Sequence, residues 1–151
     1  MSVFFSADAI SELPIISNSP YLVAISPSGL VVGSVSVALA DLQGGQAQMA
    51  VWGDDSSTPE TDGALTGESI NLSLVDGSSL YSLTAPSPIS YVTSGMSVQM
   101  GGASPELCGD GASDGDCSFP GFFSGNTGNN MTVMLTPGVF SGLNIVNEDA
   151  Y

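Results

Sequence analysis

Not one of the 151 residues is Lys, Arg or His, while 15 are Asp or Glu, giving a net charge of −15. Such a balance often marks a solvated acidic tail. Here only 10% of residues are charged and 42% are hydrophobic, so the chain has enough apolar side chain to build a core. Its length suits one domain with room for part of a second. The missing residue types shorten the catalogue of activities. Without cations the chain cannot neutralise phosphates, which excludes nucleic acid as a partner held by its backbone. The same lack excludes electrostatic binding to an anionic membrane. Without His there is no Ser-His-Asp or Cys-His catalysis and no imidazole metal ligand. Without Lys there is no Schiff base and no Walker-type phosphate grip. What remains is structure, calcium or sugar contact, and self-association.

The chain begins again near its end. Met1–Tyr21 aligns over Met131–Tyr151 without a gap, and six of the 21 positions are identical: Met1/Met131, Val3/Val133, Ser11/Ser141, Leu13/Leu143, Ile15/Ile145 and Tyr21/Tyr151. Unrelated segments of ordinary composition would share roughly one or two. Further pairs are conservative, including Phe5/Leu135, Ile10/Phe140 and Ile16/Val146. Two physical readings follow. In one, the chain is part of a tandem array with a period near 130 residues, so that Met1 is matched by Met131 and need not be a translation start. In the other, residues 131–151 are donated to complete a neighbouring copy by strand addition. Either places Met131, Val133, Leu135, Phe140, Leu143, Ile145 and Tyr151 at a self-association surface. Coincidence between two amphipathic strand-turn segments is the competing explanation.

Most of the chain reads as short strands between turns. Ser2–Phe5 is followed by one helical turn, Ala7 to Leu13, with Ser6 as its N-cap. Tyr21–Ile25 and Leu30–Leu39 flank the turn Ser26-Pro27-Ser28-Gly29. Gln46–Trp52 follows the Gly44-Gly45 turn. Ser69–Val75 alternates, and Asp76-Gly77 signals a hairpin to Ser79–Thr84. Ile89–Met100 is a further strand region, and residues 101–129 read as one long loop. Seven or eight such strands with little helix predict an all-β, antiparallel immunoglobulin-like β-sandwich over residues 1–130. Residues 131–151 then form the first strand region of a following unit.

An acidic loop interrupts the strands: Val51-Trp52-Gly53-Asp54-Asp55-Ser56-Ser57-Thr58-Pro59-Glu60-Thr61-Asp62-Gly63-Ala64. Asp54, Asp55, Glu60 and Asp62 fall within nine residues. Carboxylates at that density repel unless splayed, hydrogen-bonded or bound to a cation, and hard oxygen ligands suit calcium. The alternative is a rigid turn in which Asp54 and Asp55 cap backbone N–H groups and Pro59 fixes the bend. Together with Gly67-Glu68-Ser69-Ile70, Asp76-Gly77 and Tyr81, the run resembles immunoglobulin-like β-sandwich repeats of large secreted or surface proteins of bacteria, which carry a similar GDD-x-x-TPE loop between two core strands. The resemblance is strongest over Val51–Tyr81. It implies a repeated extracellular module with an adhesive or structural role and no catalytic residues.

Cys108 and Cys117 bracket a Gly- and Asp-rich octapeptide, a spacing that fits a local disulfide better than a metal site. Such a bridge implies an oxidising compartment. Asp110, Asp114 and Asp116 inside the ring are a second candidate calcium site, with a solvated ring as the plain alternative. Asn71 and Asn130 match the glycosylation sequon, a short motif that often occurs by chance. The leading expectation is a non-enzymatic extracellular or cell-surface module of a repetitive protein or filament, whose partners are neighbouring copies or modules of itself. The runner-up is a calcium-dependent carbohydrate-binding or adhesin module. A third reading, a glycosidase using carboxylates alone, needs two opposed carboxyls across a cleft.

Overall fold

The computed structural model describes residues 1–108. Eight strands and one short helix follow one another: β1 (Ser2–Phe5), α1 (Ala7–Ser11), β2 (Tyr21–Ile25), β3 (Val31–Ser36), β4 (Ala47–Ala50), β5 (Asn71–Asp76), β6 (Ser79–Thr84), β7 (Met96–Gln99) and β8 (Ser104–Leu107). They form two sheets, a three-stranded one ordered β4-β1-β7 and a five-stranded one ordered β3-β2-β5-β6-β8. The expected all-β sandwich is the observed architecture. One pairing departs from a purely antiparallel scheme: β1 runs antiparallel to β4 but parallel to β7.

Alternation of side chains builds the core. Val3 and Phe5 of β1 point inward, and Val3 sits opposite Met49 of β4, both fully buried. The facing sheet contributes Leu22, Ala24, Val32, Leu72, Leu74 and Leu83. Helix α1 closes one end of this core with Ala9 and Ile10, and Leu13 follows it inside. Its start is the expected one: the Ser6 hydroxyl accepts from the Ala9 N–H at 3.2 Å. It stops at Ser11, two residues short of the expectation, because Pro14 lies just ahead. Val23, Val75 and Leu80 form a smaller cluster on the outer face of the five-stranded sheet, with Cys108 packed against it.

Several boundaries differ from the sequence reading. The expected strands Leu30–Leu39 and Gln46–Trp52 are shorter, spanning Val31–Ser36 and Ala47–Ala50. At that corner the two sheets meet: the Trp52 N–H donates to Val32 O at 2.8 Å. A Cβ on Gly33 would lie 2.3 Å from Ala50 O, so only glycine permits the approach. Of Ile89–Met100, only Met96–Gln99 is a strand. Pro86 and Pro88 precede the region, and Ser94 takes a positive φ of 57° just before β7 begins. The reading of 101–129 as one loop is corrected at its start, since Ser104–Leu107 pairs antiparallel with β6.

One carboxylate positions the crossing between the sheets. The hairpin β5–β6 closes through Gly77 and Ser78 with a positive φ at Gly77 alone, the pattern of a type II′ turn. That leaves Asp76 as the last residue of β5, 5% exposed. Its Oδ2 accepts from the Ile16 N–H at 2.6 Å and its Oδ1 from the Ser17 N–H at 2.8 Å. The connector from α1 to β2 is thereby pinned to the far end of the sheet. Burial pushes the Asp76 pKa up. The neighbouring Ser17 hydroxyl dipole and the two N–H groups pull it down further, so the net value lies below the ordinary carboxylate range.

A depressed folded-state pKa stabilises the fold above the unfolded value of 3.8, and that stability is lost as pH falls through the folded value. Asp76→Ala orphans two N–H groups and should cost about 3 kcal/mol at neutral pH, measured by urea unfolding. Asp76→Asn keeps one acceptor and should cost about half as much. The gap between wild type and Asp76→Asn should close below the ordinary carboxylate pKa. A gap that stays constant down to full protonation would show that Asp76 is not the titrating clamp.

Candidate functional site

The acidic loop joins β4 to β5. Its base is a narrow neck. Ala64 N–H donates to Trp52 O at 3.0 Å and Asp54 N–H to Ala64 O at 3.1 Å, so Gly53 and Ala64 form an isolated parallel bridge. Both sides of the neck require glycine. A Cβ on Gly63 would sit 2.2 Å from the Gly53 carbonyl carbon, and one on Gly53 would sit 2.0 Å from the buried Tyr91 hydroxyl. Tyr91 in turn holds the outgoing strand, with its N–H on Glu68 O and its carbonyl accepting from Gly67, both at 2.8 Å.

The carboxylates above this neck turn inward onto backbone. Asp54 Oδ1 accepts from the Asp62 N–H at 2.9 Å, and Asp62 Oδ1 accepts from the Asp55 N–H at 3.2 Å, a reciprocal pair of caps across the loop. Asp55 Oδ1 accepts from the Ser57 N–H at 2.9 Å, closing an Asx-turn. That N–H, with the Ser57 hydroxyl, holds the Asp55 pKa below the ordinary value. The Thr58 hydroxyl donates to the carbonyls of Asp55 and Glu60 at 2.9 and 3.1 Å. Glu68 Oε2 caps the Leu65 N–H at 2.9 Å. Glu60 is exposed at the tip. Among the described residues no three carboxylates converge on a point that suits a metal ion. Asp54 and Asp55 cap backbone N–H groups as the rigid-turn alternative has them, with Asp62 as an added cap.

Asn71 opens β5 with its side chain exposed, as a sequon asparagine must be. Trp52 is half-buried beside the loop neck. Cys108 is not a free thiol. Cys117, Asp110, Asp114, Asp116, Asn130 and the segment 131–151 with Met131, Val133, Leu135, Phe140, Leu143, Ile145 and Tyr151 lie outside the described residues. Sequence reasoning missed two polar anchors. Asp76 was visible only as a turn signal, because its partners are 59 and 60 positions away. Gln99, fully buried in β7, has its Oε1 on the Ser87 N–H and its Nε2 on the Ser97 hydroxyl at 3.2 and 3.0 Å. Comparison with protein families, with curated proteins and with solved structures finds no match to this chain.

The caps make the loop part of the folded unit. Asp54→Ala and Asp62→Ala should each cost about 1–2 kcal/mol in urea unfolding, and the double variant less than the sum, because the two caps close one loop. Gly63→Ala should cost about 3 kcal/mol or more through backbone overlap. Because the inward carboxylates already have partners, adding calcium should leave the melting temperature unchanged. A rise saturating at millimolar calcium would make the loop a cation site.

Proposed function

We propose that this chain is a non-enzymatic structural module of a repetitive extracellular protein or filament. Units join end to end through the segment repeated at residues 1–21 and 131–151. The observation that carries the reading is the burial of the first copy of that segment. Val3, Phe5, Ala9, Ile10 and Leu13 are each at most 8% exposed. Their counterparts Val133, Leu135, Val139, Phe140 and Leu143 are all apolar. The exposed Asp8 and Glu12 correspond instead to Gly138 and Gly142, while exposed Ser11 is kept as Ser141. The second copy therefore keeps the apolar inward positions of β1–α1 and loses the two outward carboxylates. Such a pattern is expected where a segment packs into a sandwich of this kind.

The immunoglobulin-like resemblance, the lack of His, Lys and Arg and a Cys108–Cys117 bridge in an oxidising compartment belong to the same reading. The calcium-dependent carbohydrate module is the less supported alternative, since the loop carboxylates cap backbone groups. Head-to-tail joining is open-ended, so sedimentation velocity on the full chain should show association that grows with concentration. Leu143→Asp should reduce it. A chain that stays monomeric at every concentration, or a Leu143→Asp variant that associates as wild type does, would overturn the proposal.

A further inference from the structure

The four sheet edges are not equally protected. Edge strands offer unpaired N–H and C=O groups, and monomeric proteins guard them with charge, proline or cover. Strand β8 has Pro105 and Glu106 among its four residues. Strands β3 and β4, the other outer strands of the two sheets, meet at the Val32–Trp52 hydrogen bond and the Gly33–Ala50 contact. Among the described residues strand β7 has none of these devices. It reads Met96-Ser97-Val98-Gln99, without charge or proline, and it ends the sheet order β4-β1-β7 among the described residues.

Its ladder with β1 defines what is left over. Ser2 N–H donates to Gly95 O and Ser6 N–H to Gln99 O, at 2.9 and 3.0 Å. A parallel ladder uses alternate residues, so the backbone groups of Met96, Val98 and Met100 face the open edge. Their side chains share the outer face, where Met96 is 70%, Val98 48% and Met100 74% exposed. With half-buried Phe4 they line a shallow apolar groove of about 320 Å³. Unpaired backbone beside a contiguous apolar strip is the combination that β-strand addition exploits.

We propose that the open edge of β7 is the acceptor site for a β1-type strand, Thr132–Leu135, from a second copy of this chain. This rests on the joining role of residues 131–151 and says where they dock. Three observations select that occupant. Strand β7 already pairs with a strand of this pattern on its other side, in the register Ser2↔Met96 to Phe5↔Gln99. The slot between β4 and β7 in each unit is filled by its own β1, so the second β1-type segment needs a different edge. Charge also permits it. Copies carrying −15 each repel wherever carboxylates face one another. No acidic residue lies between Asp76 and Glu106, or between Asp116 and Glu148, so neither strand carries charge of its own, and the Glu12 carboxylate lies against Gly102 beyond the end of β7.

The test compares the full chain with Val98→Lys and Val133→Lys by sedimentation velocity, with circular dichroism as the check on folding. Val98 is half exposed, so lysine there should guard the edge without disturbing the sandwich. Both variants should fold and weaken association by about tenfold or more. If only Val133→Lys weakens it, the joining role stands and the β7 site is wrong. If only Val98→Lys weakens it, the edge pairs with something else, and both proposals fail. If neither does, or the wild type never associates, both fail as well.

Discussion

Strand β1 holds the smaller sheet together. It is four residues long, yet it pairs with β4 on one side and β7 on the other, and it sends Val3 and Phe5 into the core. Without it β4 and β7 are not neighbours, and one layer of the sandwich is lost. A four-residue strand flanked on both sides satisfies nearly all its backbone groups and buries one apolar face, which is a large return of order from little sequence. The same economy makes a second copy of the strand potent. Residues 131–135 carry the inward pattern of β1, and a strand with that pattern is stable only where it finds an edge.

The absence of side-chain cations governs the rest. A carboxylate in this chain cannot rely on a Lys or Arg partner, so its alternatives are solvent, hydroxyls and backbone N–H groups. The buried Asp76 takes two consecutive N–H groups from the connector after α1. Asp54, Asp55, Asp62 and Glu68 take others within the loop they occupy. Each such bond fixes backbone as well as side chain, so the acidic residues act as turn formers and clamps. Fifteen negative charges then make two copies repel wherever their carboxylates face one another.

Period and punctuation carried much of the fold. Tyr21–Ile25, Ser79–Thr84 and the Ser6 cap were legible because apolar runs and turn residues are local signals. The hairpin after Asp76 was legible for the same reason. The parallel β1–β7 pairing was not, since it joins residues more than 90 positions apart and leaves no mark on either segment. Strand β8 was hidden by its own edge chemistry: Pro105 and Glu106 make it look like loop. In the candidate site, Asp54 and Asp55 were legible as caps. Their pairing with Asp62 depends on Gly53 and Gly63 bringing two backbones into contact, which only coordinates reveal.

The most direct measurement is residue-resolved amide hydrogen exchange on the intact chain at low and high protein concentration. The account predicts that the amides of Met96, Val98 and Met100 gain protection as concentration rises, while that of Leu107, which faces outward from the guarded β8 edge, does not. Equal exchange at β7 across all concentrations, in a sample that nonetheless associates, would contradict it.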